Sequence, residues 1–293
     1  MIIVRLVGGM ANQMFPYATG RHLAHRLGTD LKLDISGFRV YETRKDIAFR
    51  RYSLNGFNIV EHFASPEEIK ALTVRQKNLL EKFFRKKAGH PKSYIKEKQR
   101  HFDPSILDLK GDLYLDGNWA SPKYFENIES MIKNDFTFRT PPCGKNIDLI
   151  NIIQKTNAVS IHVRRGDYAW NAKVNSYHGL CSLEYYQRAV KHVAERITSP
   201  HFFIFSDDPD WIRDNMHWDW PTIIIDHNGP LQEHEDLRLM SLCRHNIIAN
   251  SGFSWWAAWL NKNPAKMVIA PEKWVAVAKH DTSTLVPQNW IRM

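Results

Sequence analysis

The sequence predicts an α/β protein made of two doubly wound, Rossmann-like domains facing a cleft. Three observations carry this expectation. Through the second half of the chain, short β-rich runs alternate with runs of helical spacing, the pattern of a parallel sheet covered by helices on both faces. The first half repeats the alternation less regularly. Between them, Thr140-Pro141-Pro142-Cys143-Gly144 breaks helix and strand alike. The boundary is therefore expected there, with domains at 1–142 and 143–293.

In the second half, strands are expected at 159–163, 201–205, 222–225, 246–249 and 267–270. Helices are expected between them at 183–197, 209–215, 233–243 and 254–260. Leu183, Tyr186, Val190 and Val193 recur at helical spacing, as do Leu237 and Met240. Trp255, Trp256 and Trp259 read as core. In the first half, a strand at 2–7 runs into a glycine turn, a helix over 12–27 that Gly28 stops, and a strand at 31–33. A helix at 66–84, a strand at 112–115 and a helix at 123–136 complete the expected elements.

The 293 residues suit one large or two ordinary domains, and 43% hydrophobic content can fill two cores. No apolar run approaches the ~18–20 residues of a spanning helix, and the opening apolar run is too short for a signal-peptide core. Cys143, Cys181 and Cys243 sit at no metal-ligand spacing and cannot build a disulfide framework. Reduced thiols and a cytoplasmic setting are expected.

The net charge is +9, and Arg75 to Arg100 alone carries ten Lys or Arg against two Glu. Nucleic-acid binding calls for basic and aromatic residues interleaved over one surface. A surplus confined to one segment argues against it, so no nucleic-acid partner is expected. Leu72, Leu79, Leu80, Phe83 and Phe84 fall near helical spacing beside Arg75, Lys77, Lys82, Arg85, Lys86 and Lys87. Such a helix suits peripheral contact with an anionic membrane. Equally, its apolar residues can pack into the first domain while the lysines stay in water. Both readings stand.

In open α/β sheets, ligands bind outside the carboxyl ends of the strands. The strand at 159–163 carries His162 and ends in Arg164-Arg165-Gly166-Asp167. The next ends in Ser206-Asp207-Asp208, the third in Asp226-His227, and the fourth in Asn250-Ser251-Gly252 before a helix near Ser254. Forked arginines suit a diphosphate, and a Ser/Gly turn at a helix start offers it N–H groups and hydroxyls. Asp207 can accept from the N1–H and amino group of guanine. Each piece alone has an ordinary structural reading, since arginine pairs are common on surfaces and Asp-Asp-Pro caps helices. Four pieces at four strand ends favour a nucleotide-diphosphate site.

His162-Val163-Arg164-Arg165-Gly166-Asp167-Tyr168 resembles the His-x-Arg-Arg-x-Asp signature of α-1,2-fucosyltransferases, glycosyltransferase family 11. Ser206-Asp207-Asp208-Pro209, Asn250-Ser251-Gly252-Phe253-Ser254-Trp255-Trp256 and Gly8-Gly9-Met10-Ala11-Asn12-Gln13-Met14-Phe15 resemble three further blocks of that family. Two positions depart from the pattern: Ala11 stands for a usual glycine, and Gly252 for a usual Ser or Thr. The resemblance implies a GT-B-like fold, GDP-β-L-fucose as donor, inversion to an α-linked product on the 2-hydroxyl of a terminal galactose, and no metal or other cofactor; the residues by themselves leave another GDP-sugar or acceptor open. Carried over by motif, His162 and Asp207 read guanine, and Arg164 holds the β-phosphate with Arg165 beside it. Ser251 and Ser254 contact the diphosphate. Gly8, Gly9 and Asn12 approach the phosphate or reacting sugar from the acceptor-side N-terminal domain.

Arg164 and Asn12 are the expected catalytic residues. Breaking the sugar–phosphate bond leaves negative charge on the β-phosphate, and a fixed guanidinium stabilises that charge most in the transition state. The acceptor hydroxyl must also lose a proton. Asp34, after the second strand, is one candidate base; a dissociative reaction without a strong base is the alternative. His178 and Trp170, in the loop after the arginines, either line the acceptor pocket or simply pack.

Overall fold

The computed structural model describes residues 1–43, 49–74, 90–277 and 281–293. The chain forms two compact units: Met1–Thr137 with Ser283–Leu285, and Phe138–Thr282 with Val286–Met293. The division falls shortly before the 142/143 boundary expected from the Pro-Pro pair. Arg238 accounts for this: its guanidinium lies 4.3 Å from the Phe138 ring centroid, and its Nη2 donates to the Thr140 carbonyl at 2.6 Å. The segment ahead of the prolines is thereby bound to the second unit.

The first unit holds a four-stranded parallel sheet, ordered β2-β1-β4-β3. Its strands are β1 (Ile2–Arg5), β2 (Leu31–Asp34), β3 (Tyr94–Lys96) and β4 (Leu113–Asp116). Helix α1 (Met10–Leu27) starts directly after the glycine turn and ends at Gly28, whose φ of 60° is left-handed. A short helix α2 (Arg39–Thr43) follows β2.

Helix α3 (Pro66–Thr73) is opened by a capping box in which Ser65 Oγ accepts from Glu68 N and Glu68 Oε2 accepts from Ser65 N. The rest of the expected 66–84 helix, with Leu79, Leu80, Phe83 and Phe84, lies outside the described residues. Leu72 is described, and it packs with Ile3 and Tyr114. The expected helix at 123–136 is broken into two 3-10 turns and helix α4 (Glu129–Asp135). The buried Phe125 leaves helical geometry (φ −142°, ψ 9°), while the Tyr124 hydroxyl accepts from Asp103 N.

The second unit opens with helix α5 (Lys145–Lys155), which was not expected from the sequence. Its six parallel strands are β5 (Asn157–Val163), β6 (Pro200–Ser206), β7 (Thr222–Ile225), β8 (His245–Ile247), β9 (Val268–Ala270) and β10 (Ile291–Arg292). Their order is β10-β9-β8-β5-β6-β7. After β5 come α6 (Gly166–Trp170), α7 (Ala172–His178) and α8 (Leu183–Ala194). Helices α9 (Pro209–Asn215), α10 (Glu233–Leu242) and α11 (Gly252–Leu260) complete the covering layers.

Residues 158–163 of β5 are all buried, as a central parallel strand covered on both faces requires. Helix α8 lays Tyr186, Ala189, Val190 and Val193 against this sheet, four positions on one helical face. Trp255 and Trp256 are fully buried and Trp259 is 7% exposed, so these aromatics are core. Among the described residues, no helix is long and apolar enough to cross a membrane.

Candidate active site

In the second unit, β6 and β7 lie on one side of β5, and β8, β9 and β10 on the other. The strand order therefore reverses between β5 and β8 while all six strands stay parallel, and ligands favour the crevice at such a switch point. β5 brings His162 and the loop after it brings Arg164 and Arg165. From across the switch point, Ser251 N-caps α11, its hydroxyl accepting from Phe253 N at 3.3 Å. The first turn of α11 carries no acidic side chain, which leaves the positive end of its dipole uncompensated.

His162 is 6% exposed, and its Nδ1 lies 3.0 Å from Ser254 Oγ, itself 1% exposed. Burial, aided by the nearby Arg164 charge, pushes the imidazole down to about 3, so the ring is neutral at ordinary pH. Ser254 thus braces His162 instead of opening its hydroxyl to solvent.

Arg164 is clamped by two carboxylates: Nη1 lies 2.5 Å from Asp207 Oδ2, and Nη2 lies 2.5 Å from Asp167 Oδ1. The other oxygen of Asp207 accepts from Arg165 N at 2.8 Å and Gly166 N at 3.0 Å. A Cβ at Gly166 would sit 2.3 Å from Asp207 Oδ2, so a larger residue there would push that carboxylate off the fork. Arg165 turns to a different neighbour, pairing with Asp208 at 2.9 Å and stacking 4.0 Å from the Trp211 ring centroid. The loop therefore balances two arginines against three aspartates. Its arginines are preorganised but already paired.

The two acceptor candidates differ. Trp170, at the end of α6, is 70% exposed, a large apolar face presented to solvent. His178, the last residue of α7, stacks on Tyr168 with ring centroids 4.5 Å apart and planes 14° apart. Tyr168 in turn lies 5.3 Å from the Arg164 guanidinium, and burial pushes its hydroxyl up to about 12.

In the first unit, Gly8 adopts φ 74°, and a Cβ there would approach Asn12 Nδ2 to 2.9 Å. The turn delivers Gly9 as the N-cap of α1, again with no acidic residue in the first turn. Asn12 is exposed on that turn. Ala11 is the second helical residue, where no positive φ is needed. Asp34 is only 2% exposed, and its oxygens accept from Ser36 N at 2.8 Å and the Tyr114 hydroxyl at 2.5 Å. A general base must reach the proton it removes, and the Asp34 carboxylate is sealed away from solvent.

Three groups of side chains make contacts that the sequence does not show. Gln13, fully buried, donates to the Gly8 and Arg51 carbonyls and accepts from Ser53 N, bracing the glycine turn. At the end of β7, His227 and Asn228 bond Asn146 of α5, and Asn228 donates to Asp236 at 2.7 Å. Asn250 joins three backbone carbonyls beside the α11 turn. Asn250 stands inside a block already singled out, but its partners are distant in sequence; Asn146 carries no local signal. Among the described residues, no three His, Cys, Asp or Glu side chains converge as a metal-binding group.

Comparison with known proteins agrees with this architecture. The chain is 31% identical to the alpha-1,2-colitosyltransferase of Escherichia coli, over all of this chain and 99% of the relative. It is 24% identical to galactoside alpha-(1,2)-fucosyltransferase 2 of Sus scrofa, over 58% of this chain and 50% of the relative. Its fold matches that of Arabidopsis thaliana FUT1 in complex with GDP, with a TM-score of 0.51 at 10% identity, covering 93% of this chain and 71% of that one. The architecture is that of the GT-B fucosyltransferases. The profile of Glycosyl transferase family 11 matches residues 53–293, and with the full-length likeness this shows that the chain belongs to that family.

Proposed function

We propose that this chain is an inverting transferase that moves L-fucose from GDP-β-L-fucose to the 2-hydroxyl of a terminal β-galactoside, forming an α-1,2 linkage. The observation that carries the reading is the Arg164 fork at the β5–β8 switch point, beside the open N-terminus of α11. In this reading the acceptor oxygen attacks the sugar carbon from the face opposite GDP. The bond to the β-phosphate oxygen breaks, and GDP leaves with the electron pair.

Arg164 stabilises that developing charge, exchanging its carboxylate partners for phosphate oxygens. Asp207, released from the fork, accepts from guanine, and neutral His162 offers its remaining ring nitrogen. The sealed Asp34 favours the alternative raised above, a largely dissociative reaction in which the acceptor proton passes late to water or to the departing β-phosphate, without a strong base. No metal is required, because the guanidinium supplies the positive charge.

The full-length likeness to a colitosyltransferase favours a second reading of the donor. Colitose is L-fucose without its 3-hydroxyl. A site that hydrogen-bonds that hydroxyl rejects the deoxy sugar strongly, whereas a merely roomy site discriminates weakly. The test is turnover with GDP-fucose, GDP-colitose and other GDP-sugars against a panel of β-galactosides in EDTA, followed by linkage mapping of the product. Transfer of fucose to the galactose 2-hydroxyl is expected. Colitose transfer alone selects the second reading, and activity that needs added manganese refutes the metal-free mechanism.

A further inference from the structure

We propose that Asn250 is a positioning residue that locks the acceptor-facing segment 171–180 onto the phosphate-facing turn 251–254. The inference rests on the transferase reading above and assigns a role to a residue that contacts neither substrate.

Asn250 is 3% exposed and follows β8. Its Nδ2 faces the carbonyls of His178 at 2.9 Å, Gly179 at 3.2 Å and Trp274 at 3.3 Å. Its Oδ1 accepts from Cys181 Sγ at 3.5 Å. The last carbonyls of a helix have no partner within it, and α7 ends at His178. One amide thus terminates α7, holds the segment after β9 through Trp274, and remains covalently next to Ser251. A second tie, from Ala276 N to the Tyr177 carbonyl at 3.0 Å, joins the same two segments.

The held segment leads back to the chemistry. His178 stacks on Tyr168, and Tyr168 lies under the Arg164 guanidinium. Trp170, 70% exposed, stands between Tyr168 and α7 in the chain. Releasing Asn250 frees the segment that presents Trp170, whereas Arg164 keeps its own carboxylate clamp. The chemistry at position 250 is specific: an aspartate would turn a charged oxygen toward three carbonyls, and an aliphatic residue would leave them unsatisfied.

The test uses the full chain with Asn250→Ser and Asn250→Asp, each checked for folding by circular dichroism and melting. The serine variant, which keeps one donor, guards against a failure of the aspartate variant to fold. Cys181→Ser, which retains a donor to Oδ1, is the control. In Asn250→Ser, hydrogen exchange at the Asn175 and Gly179 amides is expected to rise at least about tenfold, while core amides stay protected.

Acceptor KM should rise about tenfold, with GDP affinity within roughly threefold of the parent chain. Unchanged exchange in 171–180 overturns the role of Asn250, and so does a parallel loss of donor and acceptor binding that tracks the melting temperature. The exchange measurement needs no substrate. Absence of transfer by the parent chain would therefore sink the transferase reading without deciding whether Asn250 holds the segment.

Discussion

His162 and Ser254 span the β5–β8 switch point through one hydrogen bond, Nδ1 to Oγ at 3.0 Å. A neutral imidazole has one donor and one acceptor nitrogen, so this bond sets how the other nitrogen addresses a ligand. Removing the hydroxyl leaves a buried nitrogen without its partner. Ser254→Ala is expected to cost about 1–3 kcal/mol of stability. It should also weaken GDP binding about tenfold through a misaligned ring. Denaturant unfolding and calorimetry measure the two effects, and a stability loss with intact GDP affinity would make the pair purely structural.

Arg164 and Arg165 should separate on substitution. Arg164→Lys puts a point charge where a fork now spans two carboxylates. Turnover is expected to fall on the order of 10²–10³. Arg165→Lys loses the stack on Trp211 and weakens the Asp208 pair, a structural link between β5 and α9. Its effect should appear mainly as a lower melting temperature with turnover within about tenfold of the parent chain. Equal loss of turnover in both variants would contradict this division of labour.

The strand-end site was legible because parallel strands place their carboxyl ends on one edge whatever their spatial order. His162, Arg164, Asp207 and Ser251 could therefore be gathered from spacing alone. The pairing among them was not legible. That Asp207 closes on the N–H groups of Arg165 and Gly166 depends on β6 lying directly beside β5, a fact of sheet order.

Asp34 shows the same limit. It ends its strand, at the edge where a base candidate should lie, yet the Tyr114 hydroxyl reaches it from β4, beyond β1. Helix α5 was missed because its apolar positions follow a Pro-Pro-Cys-Gly stretch that reads as linker. The break at Phe125 arises because tertiary burial of that ring outweighs the helical pattern around it.

The carboxylate clamp on Arg164 implies competition with the donor. A diphosphate can use the full fork only after displacing Asp167 or Asp207. Asp167→Asn removes one competitor and one like charge near the incoming phosphates, while leaving Asp207 to hold the loop through Arg165 N and Gly166 N. GDP affinity is expected to rise several-fold, up to about tenfold, and the gain should shrink at high salt. Calorimetry at two ionic strengths reads both. Weaker GDP binding in a folded Asp167→Asn protein would mean that the carboxylate orients the fork for phosphate and does not compete with it.

Among the groups that set the dependence of stability on pH, the partly buried Asp236 and the buried His162 act in opposite directions. Burial pushes the Asp236 carboxyl from 3.8 up to about 7; the Asn228 hydrogen bond opposes the shift, and the charges of Glu235 and Glu233 add to it. The folded chain therefore binds more protons at this site than the unfolded chain across that interval, so the contribution of Asp236 is present in acid and lost as pH rises through about 7. Burial takes His162 from 6.5 down to about 3, so its contribution is present above 6.5 and lost as pH falls. Between 3.8 and 6.5 the two slopes oppose each other. Asp236→Asn removes one of them and keeps an oxygen to accept from Asn228. The variant should exceed the parent chain in stability near pH 8 by on the order of 2 kcal/mol, with the difference shrinking toward pH 4. Its own stability should fall more steeply on acidification, with the His162 slope no longer offset. Denaturant midpoints at closely spaced pH values measure this, and a difference that stays flat with pH would show that Asp236 is ionised at its ordinary value.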